Sequence, residues 1–539
     1  MIQRFSKLLV STIFITGLFA VPLLVIFASV FYIDLQVWEH LVSTVLFDYI
    51  SNSLILAFCV GIGTSLIGCY LAWLMVHYDF AGKSILRWLI LLPLAMPAYI
   101  IAYTYTGVFD FASPLHESLR VWFGTQGNTR ILPDIRNLGG AIAMMILVLY
   151  PYVYLLARTA FKEQSSQFSL VAQLAGMSKW RYIKTVALPL ARPAILTGAA
   201  LAMMEALADY GTVAYFGVNT FTTGIYRTWF GMGNALAASQ LASLLCLFVF
   251  IFLWLEKNSR KHHSRFQARH NRTTEAKRKY GATSYGLFLV CLLPPLFGFV
   301  VPFIQLLYWV IEYANADAFD EYFPLLFTSI KLAGISVIVI VTAALIISYC
   351  KRQFASKSIQ FASQFVGLGY ALPGVVIAVG VVQVAGFSDK QLNILSNSLF
   401  DYQPGLLISG GITILVFAYA IRYLSVALHN TDTGLERIKP NLDEVAISLK
   451  AGRGRVLRTV HAPLISASLI SACILVFVDV LKELPATLIL RPFNVNTLAV
   501  KAYELASDER LIDAALPAVS IVFAGIIPVI LLTKSLEKI

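Results

Sequence analysis

Long apolar runs separated by short polar segments recur along the whole chain. Twelve can be placed, at 8–32, 50–76, 86–109, 138–158, 193–217, 235–255, 284–311, 325–349, 361–386, 404–428, 464–490 and 513–533. Each is long enough to cross a hydrocarbon core of about 30 Å as a helix. The ten-residue alternation of a membrane β-barrel is absent from the pattern. Backbone in lipid must satisfy its own hydrogen bonds, so helices remain. The expected fold class is therefore all-α, a polytopic membrane protein with about 12 transmembrane helices. The fifth and eleventh runs are the least clean, because both carry charges.

Composition agrees. Of 539 residues, 58% are hydrophobic and 13% charged, against roughly a quarter charged in soluble domains. The formal net charge of +12 would suit nucleic acid if it lay on one soluble face. The basic residues instead sit between apolar runs: Lys83 and Arg87; Arg158, Lys162, Lys179, Arg181, Lys184 and Arg192; Lys351, Arg352 and Lys357; and Arg437 through Arg458. That is the bias of cytoplasmic loops; it argues against nucleic acid and places both termini in the cytoplasm. The loop 110–137, with Arg120, Arg130 and Arg136, runs against the bias. The run after Arg4 and Lys7 is too long for a signal-peptide core and reads as an uncleaved first span. The six cysteines lie in or beside apolar runs without ligand spacing, and read as packing residues.

The chain repeats. Val445-Ala446 lies 274 residues after Val171-Ala172, and Pro463 lies 274 after Pro189. Ser329 and Pro373 lie 276 after Ser53 and Pro97. An even number of spans per half makes this a parallel repeat, its axis along the membrane normal. The expected organisation is a first half at 1–255, a basic cytoplasmic linker at 256–283, and a second half at 284–539. The linker stretch from Glu256 to Tyr280 holds nine Lys/Arg and two Glu. It reads as a flexible connector, with His262, His263 and His270 solvated rather than metal-bound.

One polar island occurs in each half: SLVAQLAGMSKWRYIKTVALPLARPAI at 169–195 and DEVAISLKAGRGRVLRTVHAPLISASL at 443–469. Apolar Val171, Leu174, Ala175 and Met177 stand at helical spacing beside Lys179, Trp180, Arg181 and Lys184. Gly176 is suited to breaking one short helix before another starts. Such a segment fits a groove of a soluble partner or lies on lipid headgroups, and spacing alone does not choose. No Walker loop, HExxH or Ser-His-Asp set is present, so no catalytic residues are assigned. Gly61 and Gly63, and Gly231 and Gly233, read as close helix packing rather than phosphate loops.

These islands resemble the cytoplasmic EAA loop of binding-protein-dependent ABC importer permeases: Glu-Ala-Ala, three residues, Gly, nine residues, then an aliphatic residue, any residue and Leu-Pro. The first copy has Leu170-Val171-Ala172, keeps Gly176 and ends Val186-Ala187-Leu188-Pro189. The second keeps Glu444 and Ala446, has Lys450 in place of Gly, and ends Val460-His461-Ala462-Pro463, with Gly452 and Gly454 available for the turn. Longer stretches, at 91–107, 147–161, 203–230 and 479–511, are similar to fused two-half permeases of ferric-iron importers with the type I fold. The resemblance implies a transport subunit, not an enzyme, in a bacterial inner membrane. Its implied partners are a periplasmic ferric-iron-binding protein and two copies of a cytosolic ABC ATPase. Those ATPases hold the Mg-ATP; this chain holds no cofactor. ATPase closure would push the loops together and switch the cavity's access. On this reading the docking residues are Ala172, Gly176, Met177, Trp180, Arg181 and Pro189, with Glu444, Ala446, Lys450, Gly452, Arg455 and Pro463. The two copies differ, so the two docking sites are expected to be unequal.

Four carboxylates lie at membrane depth, where charge is costly. Glu205 and Asp209 are four residues apart, and Asp479 and Glu483 repeat them 274 residues on. They line the path or gate, meeting a hard cation with oxygen, or form a structural network with Lys482 or Arg227, or lie in part at the interface close to water. No fixed metal site is expected. Tyr99, Tyr103, Tyr105, Tyr150, Tyr152 and Tyr154 read as packing and interface residues rather than iron ligands. Permeases for thiamine, sulfate or polyamines share the fold, and a secondary transporter would also show repeats and intramembrane carboxylates.

Overall fold

The computed structural model describes residues 2–32, 35–124, 130–164, 172, 174–261, 277–278, 280–313, 316–354, 356–439, 441–448 and 452–537. The described residues are mainly helical, with a two-residue parallel pairing of Tyr78–Asp79 with Lys277–Arg278. Among the described residues, nine helices are long and apolar enough to cross a membrane, or eleven if each of two bent pairs is one span. Ala515–Leu531 is a further, shorter apolar helix. The protein is thus an all-α polytopic membrane protein.

Two compact units form, and they partition the chain differently from its sequence halves. One unit contains Met1–Glu39, Ile225–Leu244 and Ala316–Lys501. The other contains His40–Gly224, Leu245–Asn315 and Ala502–Ile539. The first unit adds two segments of the first half to a body from the second; the other adds to 40–224 a segment that crosses the linker and the C-terminal segment of the second half. The exchange itself follows the repeat, since Ala502 lies 277 residues after Ile225.

In the His40–Gly224 unit, Leu46–His77, Leu138–Glu163 and Leu188–Ala208 pack on one another. Small residues let their backbones meet. A Cβ on Gly68 would lie 2.8 Å from the Tyr150 carbonyl oxygen and the Tyr154 nitrogen, and one on Gly198 would lie 2.7 Å from Val153 Cα. Gly61 and Gly63 are also packing positions, against Met203 and Ile146. Gly231 and Gly233 are not: nothing lies within 4 Å of a Cβ at either, and Gly233 has φ +63°. Their expected packing role is corrected: Gly231 ends the π-helical segment Arg227–Gly231, and Gly233 lies in the turn that follows. Gly68→Ala should cost about 1–3 kcal/mol by wedging backbone from backbone. Gly334→Ala, in a helix with open space at the Cβ, should be neutral or stabilising. Thermal unfolding in detergent compares the two.

In the other unit, Ala316–Gln353, Ile412–Glu436 and Ser466–Leu481 form the corresponding three-helix core. Ile2–Ala28 packs on Gly374–Phe400, where a Cβ on Gly380 would lie 2.7 Å from the Pro22 carbonyl oxygen.

The repeat extends to single hydrogen bonds. Ser53 Oγ accepts from the Phe221 N–H at 3.1 Å, and Ser329 Oγ accepts from the Leu498 N–H at 2.9 Å. Each serine satisfies a backbone donor at the start of a helix, a group with no partner inside that helix. Prolines set matching breaks. Met96 and Leu372 are extended, at φ −104° and −81°, because Pro97 and Pro373 crowd the preceding residue out of the helical region. At Pro97 the chain bends by 95°.

Two expected spans move. The tenth, expected at 404–428, is the helix Ile412–Glu436. Buried Asp389 accepts from the Ile408 N–H at 2.8 Å, and from the Ser409 N–H at 2.9 Å and hydroxyl at 2.5 Å. These bonds hold the apolar residues around Ile408 outside that helix. The ninth, expected at 361–386, is split into Lys357–Gly367 and Gly374–Phe400 by Pro373.

Candidate functional site

Residues 165–171 and 173 of the first motif loop lie outside the described residues. Ala172 is buried, and its carbonyl accepts from the Met177 N–H at 2.9 Å. Gly176 closes this turn with φ +68°, the left-handed region glycine enters without strain. Met177 is half-buried. Ser178 then caps the helix Lys179–Tyr182, accepting from the Arg181 N–H at 3.3 Å. Trp180 is 64% exposed, with the Lys184 ammonium 4.9 Å from its ring centre. Arg181 and Pro189 are exposed as well. An exposed tryptophan between cations is what a docking surface requires and a packed core does not.

In the second loop, Glu444 and Ala446 lie in the helix Asn441–Ser448; Lys450 lies outside the described residues. The Gly452 carbonyl accepts from the Arg455 and Val456 N–H groups at 2.8 and 3.1 Å, forming the turn. Arg455, Arg458 and Pro463 are exposed.

Both loops enter the membrane through the same device. Ile183–Ala187 and Leu457–His461 are π-helical turns at equivalent positions. Two residues after each stands a proline whose ring blocks an ordinary helical bond to the residue four back. The wider turn accommodates it. The threonines so bypassed bond locally, Thr185 Oγ1 to the Arg181 carbonyl and Thr459 Oγ1 to the Arg455 carbonyl, both at 2.7 Å. Beyond the π turns the copies part. Lys179–Ala208 is continuous, whereas Gly454–Leu464 and Ser466–Leu481 meet at a bend of 77°.

The four carboxylates divide by role within each unit. Asp209 ends its long helix and caps the short helix Gly211–Tyr215. It accepts from the Thr212 N–H at 2.9 Å, the Thr212 hydroxyl at 3.1 Å and the Val213 N–H at 3.3 Å. Glu483 does the same for Pro485–Leu490, accepting from the Ala486 N–H at 2.9 Å, the Thr487 N–H at 3.0 Å and the Thr487 hydroxyl at 2.6 Å. A carboxylate at a helix N-terminus satisfies orphan donors and meets the positive end of the dipole. One turn earlier, Asp479 pairs with Lys482 at 2.8 Å. Glu205 is half-buried, with no hydrogen bond or ion pair among the described residues.

Glu483 has a second partner absent from the sequence reading. Arg422 Nη1 lies 3.1 Å from Glu483 Oε1, with side chains 11% and 1% exposed. The signal was available: an arginine within an apolar run marks a buried partner or a cavity. The tyrosine hydroxyls donate to carbonyls, Tyr103 to Ala514, Tyr105 to Phe297 and Tyr150 to Ile90. They act as packing donors there.

Residues 64–260 match the binding-protein-dependent transport system inner membrane component family. The chain is 26% identical over 500 residues to the Fe(3+)-transport system permease protein FbpB 2 of Haemophilus influenzae, covering 90% of each. It is 23% identical over 513 residues to the ferric transport system permease protein FbpB of Actinobacillus pleuropneumoniae, covering 90% of this chain and 71% of the relative. The molybdenum transport system permease protein ModB of Haemophilus influenzae is 27% identical over 202 residues, 36% of this chain and 85% of the relative.

Proposed function

We propose that this chain, the permease subunit of a binding-protein-dependent importer, moves ferric iron across the inner membrane by ATP-driven alternating access. A periplasmic binding protein delivers the iron, and two copies of a cytosolic ABC ATPase dock on the two motif loops and hydrolyse ATP. Both termini and both loops face the cytoplasm. The observation that carries this reading is the pair of loops, one in each unit, with the same proline-linked π turn and the same exposed basic face. A duplicated docking element suits a duplicated motor.

The substrate follows from two supports. The ferric permease relative aligns over 90% of both chains, so it shares the fused two-half length of this chain. The intramembrane carboxylates also suit a cation with oxygen preference, and would repel an oxyanion. Glu205 and Asp479 are the path carboxylates in this reading, since Asp209 and Glu483 are committed to capping.

Reconstitution with the ATPase and the iron-loaded binding protein in proteoliposomes tests it. Iron entry should require ATP and be stimulated by the binding protein. Glu205→Gln with Asp479→Asn should lower uptake about tenfold at unchanged protein level, the scale of removing a charged hydrogen-bonding partner. Full uptake by that variant would sink the path-lining role. ATP-independent uptake driven by an ion gradient would sink the importer reading and point to a secondary transporter.

A further inference from the structure

The two loops reach the membrane through different mechanical connections. The first runs without a break from Lys179 to Ala208, so a displacement of Trp180 or Arg181 passes along one helix to the Asp209 cap. The second bends by 77° before its own span. Ile465 at that bend is buried among Leu435, Ile438, Leu345 and Leu469. A Cβ on Gly434 would lie 2.8 Å from Ser468 Oγ and 3.2 Å from Ile465 Cβ, so the neighbouring helix is seated directly on the bend.

What ties the second loop down is ionic. Asp443, in the Asn441–Ser448 helix, accepts from Arg352 Nε at 3.0 Å and Nη2 at 2.7 Å. Its other oxygen lies 2.5 Å from Nε2 of fully buried His461, in the π turn. Arg352 also donates to the carbonyls of Leu435 and Ile438, at the end of Ile412–Glu436. His461 packs edge-on against Tyr349, one turn before Arg352. Two guanidinium N–H groups converge on one carboxylate oxygen, a charge-assisted contact that leaves the second oxygen for His461. One carboxylate thus joins both ends of the loop to two core helices. In the first half the residues equivalent to Arg352 and His461 are Val76 and Ala187, which cannot make these bonds. There, Trp73 stacks on His77 at 3.5 Å and meets Phe161 and Tyr182, and Gln164 Nε2 donates to the Ala187 carbonyl.

We propose that Arg352, Asp443 and His461 form a positioning clamp that transmits motion of the second docking loop to the helices Ala316–Gln353 and Ile412–Glu436, while the first loop transmits along its own continuous helix. The inference rests on the importer reading above and adds that the two halves are driven by unlike routes. Breaking the clamp leaves the ATPase bound and working but disconnects it from the second core.

The test uses Asp443→Asn, Arg352→Gln and the exchange Arg352→Asp with Asp443→Arg, each co-expressed with the ATPase and reconstituted with the binding protein and iron. In the single variants the ATPase should co-purify at the unaltered ratio and hydrolyse ATP at an unaltered rate. Uptake per ATP should fall about tenfold, within the range for loss of coupling between two sites. The exchange should restore part of it, since the ion pair re-forms while the bonds to the Leu435 and Ile438 carbonyls and to His461 do not. In the chain alone, backbone amides of 441–448 should exchange hydrogen faster in Asp443→Asn, because local opening follows lost local contacts. Unchanged uptake per ATP in both single variants overturns the clamp and leaves the importer reading standing. Loss of the ATPase from the complex also overturns it, since the residues would then serve docking itself. If the unaltered chain shows no ATP-driven uptake, the importer reading falls instead.

Discussion

Glu483→Ala should destabilise the protein by about 3–5 kcal/mol, the cost of removing one member of a buried ion pair. The carboxylate lies among four donors: two backbone N–H groups, the Thr487 hydroxyl and the Arg422 guanidinium. Truncation leaves the guanidinium without its carboxylate in a poorly solvated site, and the first turn of Pro485–Leu490 without its cap. Glu483→Gln should cost less, since an amide oxygen still accepts from the backbone. Arg422→Met combined with Glu483→Ala should cost less than the two single changes added together, because the stranded charge is gone. Asp209→Ala is the internal comparison. Asp209 has capping bonds and no described ion pair, so the loss should be about 1–2 kcal/mol. Thermal unfolding midpoints in one detergent rank the variants. Equal losses at Asp209 and Glu483 would mean that the ion pair contributes nothing beyond the cap.

Trp180→Ala with Arg181→Glu in the first loop, joined to Arg455→Glu in the second, should abolish ATPase binding while leaving the chain folded. All three side chains are exposed, so their removal opens no cavity. Tryptophan and arginine anchors in an interface are worth about 2 kcal/mol or more each, roughly thirtyfold in affinity per anchor. Titrating the ATPase onto the permease in nanodiscs measures this directly. Changing either loop alone should leave residual binding at the other, and the residues should differ, because Trp180 has no aromatic counterpart at Gly454. Undiminished binding by the triple variant would move docking away from these loops.

The legibility of this protein differs between levels. The apolar runs were readable because spanning a bilayer imposes a length and a hydropathy on each helix. The repeat was readable because a fixed offset of 274 to 276 carries Ser53, Pro97 and Pro189 onto Ser329, Pro373 and Pro463. The structure gives each pair the same task. Helix ends were read less well. The run around Ile408 is apolar like a span, but bonds with Asp389 and Asn393 and the left-handed Gly405 hold it outside the helix.

The four carboxylates show the limit most clearly. Spacing put Glu205 with Asp209 and Asp479 with Glu483 on one helical face each, and hydropathy put them at membrane depth. Spacing treats the members of a pair alike. Tertiary structure separates them, because the helices end at Ala208 and Leu481, leaving Asp209 and Glu483 beyond those ends, where the next helix presents unsatisfied N–H groups. Arg422 was visible as a charge in an apolar run, but its partner lies 61 residues away, beyond any local pattern.

The sequence by itself determined the membrane class, the twofold repeat, the polar loops and the positions that break helices. These follow from periodicity, composition and the backbone chemistry of proline and glycine, all local or offset by a constant. Only the tertiary structure decided which segments join which compact unit, that one motif loop leads into a continuous helix and the other into a bent one, and that Asp443 joins Arg352 to His461. Those outcomes depend on contacts between residues far apart in the chain, whose energies no single stretch of sequence contains.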